Sequence, residues 1–295
     1  MKLSNKVIFA IVSALAMTML TGCYENCKTV KKPFNKKDLT NWSLVGDAAK
    51  SKWTVGTPEM IKENNKMLAA KPSNEAMVNL AAEHADSVDI YSNEKYGDCH
   101  IELEVMVPKG SNSGIYVMGE YEIQILDSFG VTEMQASDMG AIYGAAVPKL
   151  NASKAPGTWQ KYVIDWKAPK FDTEGKKTAN AKFIKIELNG QILHKDLEMT
   201  GPTPGGLTGK EAPTGPIMFQ GNHGPVAYKN IIVCPLKCEK KATCPKKATC
   251  PKKAKTDCPK KAATCEKAKP ACEVKTPCPE KPACEAKASD PATEK

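Results

Sequence analysis

Apolar and polar residues alternate with a period of two through most of the middle of the chain. The clearest run spans residues 99–127. Ile101, Leu103, Val105 and Val107 alternate with His100, Glu102, Glu104 and Met106, the pattern of a strand with one buried face. Pro108-Lys109-Gly110-Ser111-Asn112 breaks it with turn residues. Ile115 and Val117 then alternate with Gly114, Tyr116 and Met118, and beyond Gly119, Tyr121, Ile123 and Ile125 alternate with Glu122, Gln124 and Leu126. Three successive strands are expected, each with an apolar face and a mixed face. On the mixed face Asn112, Tyr116, Glu122 and Gln124 can stand near one another on neighbouring strands. Amides and a carboxylate interleaved with tyrosine suit a sugar-binding surface; a solvated outer face carries the same pattern.

The rest of the middle reads the same way. Trp42 and Trp53 belong to early strands, and residues 53–56 run into a loop containing Pro58. Residues 60–82 are ambiguous and read as a short helix or a loop insertion. Residues 91–97 lead into the central strands, and 159–166 form a strand with Tyr162, Ile164 and Trp166 on one side. Residues 183–188 alternate up to Asn189-Gly190, a strong hairpin signal, and return over 191–194. Residues 201–216 are a Gly-, Pro- and Thr-rich loop. The last two strands, 217–220 and 227–233, are joined by Gly221-Asn222-His223-Gly224-Pro225. Strand signals are many and helix signals few, so residues 34–237 are expected to form one all-β sandwich.

The two ends differ from this middle. Residues 1–22 have Lys2 and Lys6 before an apolar run, 7–20, too short to span a membrane comfortably. They close on Leu20-Thr21-Gly22-Cys23, which resembles the lipobox of bacterial lipoproteins, with Cys23 the lipidated residue. Tyr24 rather than Asp follows it, so the resemblance implies the bacterial cell envelope and an outer-membrane destination. Residues 23–33 are expected to be a tether. Residues 1–22 contribute +2 and residues 238–295 contribute +7, from 15 Lys against 6 Glu and 2 Asp. Together they account for the formal +9 of the chain. The middle is therefore balanced and offers nothing to attract nucleic acid. All 42 basic residues are lysine, so no bidentate arginine clamp is available.

Residues 238–295 repeat Cys-Pro-Lys-Lys-Ala from Cys244, Cys250 and, interrupted, Cys258, with eight cysteines at intervals of six to eight. This composition buries too little apolar surface to fold and is expected to be disordered. It reads as a basic spacer, as an anchor for anionic envelope polymers, or as a site of thiol chemistry. It has no C-x-x-C and no His, which argues against a zinc module. In the middle, Cys27, Cys99 and Cys234 can supply one disulfide, with the pairing open.

Residues 105–128 (VMVPKGSNSGIYVMGEYEIQILDS), 140–190 (GAIYG through KIELNG) and 215–233 (GPIMFQGNHGPVAYKNIIV) together resemble the 3-keto-disaccharide hydrolase family, and Phe34 to Trp42 resemble its first strand. The resemblance covers essentially residues 34–236. It implies a concanavalin-like jelly-roll sandwich of two antiparallel sheets and action on oxidised glycosides. Family members often carry Arg just before the YE-Q-LD segment and in the last strand, where this chain has Glu120 and Lys229.

The implied substrate dictates the chemistry. A ketone at C3 of a glucosyl unit acidifies the C2 proton; a base removes it, the glycosidic oxygen leaves from C1, and added water completes a net hydrolysis. The reaction needs a base, an acid for the leaving oxygen and a donor at the enolate oxygen. It does not need the paired carboxylates of ordinary glycosidases. His223, in a Gly-rich loop, is the candidate proton carrier, and Glu122 the candidate base or hydroxyl acceptor. Asn112, Gln124, Tyr143 and Gln220 are candidate sugar-binding residues, with Lys229 for the enolate oxygen and Asp127 at a strand end. No metal motif, acidic calcium loop or phosphate loop is present, and no cofactor is identified. The alternative is a noncatalytic carbohydrate-binding lipoprotein using the same concave face.

Overall fold

The computed structural model describes residues 29–236. The leader, Cys23, Cys27 and the tail lie outside them. Fourteen strands occur among the described residues, twelve of them in two large antiparallel sheets. The five-stranded sheet runs β1 (Trp42–Leu44), β4 (Ile90–Ser92), β13 (Met218–Phe219), β6 (Asn112–Val117), β7 (Tyr121–Leu126). The seven-stranded sheet runs β12 (Gln191–Met199), β11 (Ala181–Leu188), β8 (Gln160–Lys167), β5 (Cys99–Met106), β14 (Val226–Pro235), β3 (Asn64–Asn79), β2 (Trp53–Ile61). β9 (Lys170–Phe171) and β10 (Lys177–Ala179) pair separately. This is the jelly-roll sandwich that the family resemblance implies. The chain is already paired at Lys31, which exchanges backbone hydrogen bonds with Val233 at 2.8 and 2.9 Å.

The apolar positions of the alternating strands meet between the sheets. Ile90, Ile115, Ile123, Ile125 and Phe219 face Leu103, Val105, Tyr162, Ile164 and Tyr228 in one buried cluster. Aromatic pairs bridge it: Phe219 stacks on Tyr228 with centroids 3.8 Å apart, and Trp166 lies 4.6 Å from both Tyr121 and Phe183. Burying an aromatic side chain is among the largest single contributions to such a core, so the period-two signal was strongest in these strands. Cys99 is buried in the same core, and burial, aided by nearby Asp98, pushes its thiol up to about 12; it is an inert core residue.

Residues 60–82 are neither helix nor insertion. β3 runs through them and pairs with β2 around the turn at Lys62-Glu63. Ala, Lys, Asn and Met there carry little strand propensity, and register shifts at Gly56/Thr57 and Met60/Ile61 break the alternation; pairing along β2 overrides local preference. Pro58 likewise sits within β2 rather than in a loop. β2 is the sheet edge, where a missing N–H removes no ladder bond on the open side.

The outer face of the seven-stranded sheet is laced with charge. His100 contacts Asp165 through Nδ1 (2.6 Å) and Glu102 through Nε2 (3.2 Å). The hydrogen bond to Asp165, with that to Glu102, raises the imidazole to about 9. A raised cationic pKa stabilises the fold fully below the unfolded value and is lost as pH rises through the folded one. Stability should therefore fall by about 2 kcal/mol between roughly pH 6.5 and pH 9. His100→Gln should flatten that slope in denaturant titrations; an unchanged slope would show that His100 is not the group responsible.

Candidate active site

The five-stranded sheet presents its polar positions on the side away from the core. Register fixes which ones: Tyr116 lies opposite Glu122, Gly114 opposite Gln124, and Met218 opposite both Tyr116 and Tyr91. Gln220 continues β13, its N–H donating to the Gly114 carbonyl at 3.0 Å. Directly opposite residues share a face, so Asn112, Gly114, Tyr116, Glu122, Gln124 and Gln220 line one surface.

At its centre, Glu122 is 3% exposed. The Tyr116 hydroxyl donates to its carboxylate and accepts from Gln220 Nε2 at 3.3 Å. Burial is the largest influence on Glu122 and the Asp89 charge adds to it; together they outweigh the tyrosine hydrogen bond and raise the carboxyl to about 7. Burial and the adjacent Glu122 push the Tyr116 phenol far up, so it stays a donor. Around this pair, Asn112 Oδ1, Gln124 Oε1 and Gln220 Oε1 are buried without a hydrogen-bond partner. Such atoms cost about 1–3 kcal/mol each when left unpaired. Three amide oxygens on one surface are arranged to accept from something else, and sugar hydroxyls are suitable donors.

The loop after β13 brings the imidazole. Asp89, just before β4, accepts from the N–H groups of Gly221 (2.8 Å) and Asn222 (3.2 Å), which pins the loop to the sheet. Burial raises the Asp89 carboxyl against those two bonds. Asn222 Oδ1 accepts from His223 Nδ1, which leaves Nε2 as the open lone pair of the neutral ring. Burial lowers His223, the positive charge available to His84 lowers it further, and Asp89 partly offsets both. Asp89 acts on both Glu122 and His223, so one carboxylate links the two candidate proton carriers.

The loop 201–216 forms a wall of the surface. Thr203 Oγ1 accepts from the Glu122 N–H (2.8 Å) and donates to the Glu120 carbonyl (3.1 Å). Gly205, in a left-handed backbone (φ 77°), passes so near Tyr116 that a Cβ there would stand 2.8 Å from its hydroxyl. On the same open edge of β7, Tyr143, 38% exposed, donates its N–H to the Glu122 carbonyl (3.2 Å), close enough to act on Tyr116.

Two sequence candidates lie elsewhere. Lys229 points off the outer face of the seven-stranded sheet, paired with Glu75 (2.8 Å) and lying 4.1 Å over the Trp159 ring. Its β14 neighbour Tyr228 takes the inward position, so strand alternation forbids Lys229 from reaching the Glu122 surface. Asp127 spends its carboxylate on the turn, accepting from Gly110 N (2.9 Å) and, more weakly, Phe129 N (3.4 Å). Conversely, Asp89, Asn222 and His84 were not singled out. Asp89 stands one residue before β4, where extending the alternation of Ile90-Tyr91 backwards puts it on the polar face; only the pairing with β13 reveals that. Among the described residues, no group of three His, Cys, Asp or Glu side chains is placed to hold a metal ion.

A Cβ at Gly114 would lie 2.5 Å from Glu122 Oε1 and 3.0 Å from the Tyr116 ring. Gly114→Ala should therefore displace the carboxyl and cost about 1–3 kcal/mol of stability, as overpacking does. Calorimetry together with glycan binding checks this; binding at the wild-type level would show that Glu122 need not hold its present position.

The chain matches the model of the 3-keto-alpha-glucoside-1,2-lyase-like domain over residues 29–234. It is similar to the crystal structure of a Parabacteroides distasonis protein provisionally assigned as a glycosyl hydrolase: 25% identity, TM-score 0.55, covering 71% of this chain and 84% of that one. A second structure from that organism, under the same provisional assignment, is 18% identical with a TM-score of 0.47, covering 70% of this chain and 94% of that one. No curated protein matches. By the extent of the domain match, the chain belongs to the 3-keto-alpha-glucoside-1,2-lyase-like family.

Proposed function

We propose that the protein is a carbohydrate-active enzyme that cleaves 3-keto-glycosides on the Glu122 surface. The observation that carries the reading is a buried carboxyl held near neutrality, surrounded by three unpartnered amide oxygens. The amides of Asn112, Gln124 and Gln220 accept sugar hydroxyls, and the exposed Tyr143 ring offers its face to the sugar. Neutral His223, with Nδ1 held by Asn222, takes the C2 proton on Nε2. The C–H electron pair forms the enolate, the C1–O bond breaks, and Glu122, protonated, gives its proton to the leaving oxygen. Water then adds to the resulting enone at C1. A base pushed down and an acid pushed up, both within reach of Asp89, separate the two roles at one pH. The Leu20–Cys23 segment supports lipid attachment at Cys23 and an envelope location, where the lysine-rich tail would meet anionic polymers.

The test is incubation of the purified protein with a 3-keto-disaccharide while following release of the sugar. Wild type should cleave and His223→Ala should lose at least about 10²-fold in rate. If wild type cleaves no 3-keto substrate yet binds unoxidised glycans, the surface is a noncatalytic carbohydrate-binding one.

A further inference from the structure

The turn at residues 82–87 leans on the loop that carries His223. The Ala85 N–H donates to the Asn222 carbonyl (2.7 Å), and Ala85 adopts a left-handed backbone (φ 66°), costly for a residue with a Cβ. Next to it, His84 stands edge-on against His223, with ring centroids 4.6 Å apart and planes at 79°. His84 is exposed and His223 half-buried. Few charged groups surround the pair. The turn carries Glu83, His84 and Asp86; Asp86 accepts from the Ala82 N–H (2.9 Å) and stands 4.0 Å from Lys52. Asp89 lies on the sheet side. Asn79 of β3, which donates to the Gly221 and Gly224 carbonyls, and Ser111 and Asn112 beneath Gly224 are uncharged.

We propose that His84 and His223 form a coupled pair that holds one proton between them, His84 taking the positive charge at the solvent side and leaving His223 neutral. Two imidazolium rings this close repel; Asp89 favours charge on His223, but burial of that ring opposes it, whereas the exposed His84 ring keeps its charge in water. A pair so coupled releases its protons in two steps that belong to the pair. The lowering of His223 by His84 has the same origin. His84 is thus a positioning residue: it keeps the Nε2 lone pair of His223 available at pH values where a solitary imidazole would be protonated. The catalytic consequence rests on the function proposed above; the pairing itself does not.

The experiment follows the imidazole resonances of the full chain by NMR through the His titration range, without substrate. In His84→Gln the His223 titration should move to higher pH, and in His84→Lys, with a fixed positive charge, to lower pH. On a 3-keto-disaccharide, the acid limb of kcat/KM should follow His223 in each His84 variant while the alkaline limb and KM stay in place. A His223 titration unmoved in both His84 variants overturns the pair. Resonances that shift in a protein unable to cleave any 3-keto-glycoside leave the pair standing and remove the catalytic reading instead.

Discussion

Glu122→Gln is expected to slow release of the sugar from a 3-keto-disaccharide by about 10²–10⁴-fold, the usual contribution of a positioned general acid. The residue sits where the effect is separable from folding. Glu122 is buried on β7 and its backbone N–H is held by Thr203, so the amide can occupy the same space. Because its carboxyl is raised to about 7, largely by burial, it is protonated in the fold at pH values where the unfolded chain has ionised it. A raised acidic pKa therefore costs stability, from the unfolded value near 4.5 upward and in full above about pH 7. Glu122→Gln should recover about 2 kcal/mol of that at neutral pH, giving a more stable and less active protein. In wild type the alkaline limb of kcat/KM should fall near pH 7, as the acid is lost; the variant should lack that limb. The leaving group decides the role. A 3-keto-glucoside of nitrophenol departs without protonation, so its cleavage should be nearly unaffected in Glu122→Gln. An equal loss on both substrates would make Glu122 the base that takes the C2 proton.

The strands of this sandwich were legible because their core residues are large and strictly alternating. Ile101, Leu103 and Val105 on β5, and Ile115 and Val117 on β6, could be read in either direction and still fall on the apolar face. The same alternation placed Asn112, Glu122 and Gln124 together correctly, since the register of one hairpin fixes them. It failed where the information is not local. Pairing with β2, and at its far end with β14, makes a strand of Asn64–Asn79, whose composition is indifferent. Lys229 was read from its neighbourhood in the chain, but strand parity sends it to the outer face beside Glu75 and Trp159. Asp89 joins the surface through Gly221 and Asn222, and the turn holding His84 joins it through the Ala85–Asn222 bond, contacts that span more than 130 residues. No pattern within a strand carries contacts of that range. Tyr116 was visible as a member of the mixed face, but its hydrogen bond with Gln220 depends on β13 lying beside β6.

Glu120→Arg should do more damage than Glu120→Ala, and Glu120→Gln the least. Glu120 closes the β6–β7 hairpin and is 5% exposed. One of its carboxylate oxygens accepts from Thr208 N (2.9 Å) and Thr208 Oγ1 (2.7 Å), the other from Gly209 N (2.9 Å). Its carbonyl meanwhile accepts from Thr203 N (3.0 Å). One side chain thus holds the loop 201–216 as a wall beside Tyr116 and Glu122. Alanine leaves three donors without an acceptor, at about 2–4 kcal/mol after water replaces part of what is lost. Glutamine keeps one acceptor oxygen and turns an amide toward the remaining donor. Arginine brings only donors against donors and a cation into a site of low exposure, where nothing compensates it. The order Arg, Ala, Gln should appear in thermal midpoints and in the hydrogen exchange of residues 201–216. KM for a 3-keto-disaccharide should rise in parallel, because Gly205 and Thr203 drift from Tyr116 and Glu122. If arginine is instead tolerated with the loop still protected from exchange, the Glu120 carboxylate is not what holds this wall, and the contacts of Leu207 and Pro216 against Gly119 must suffice.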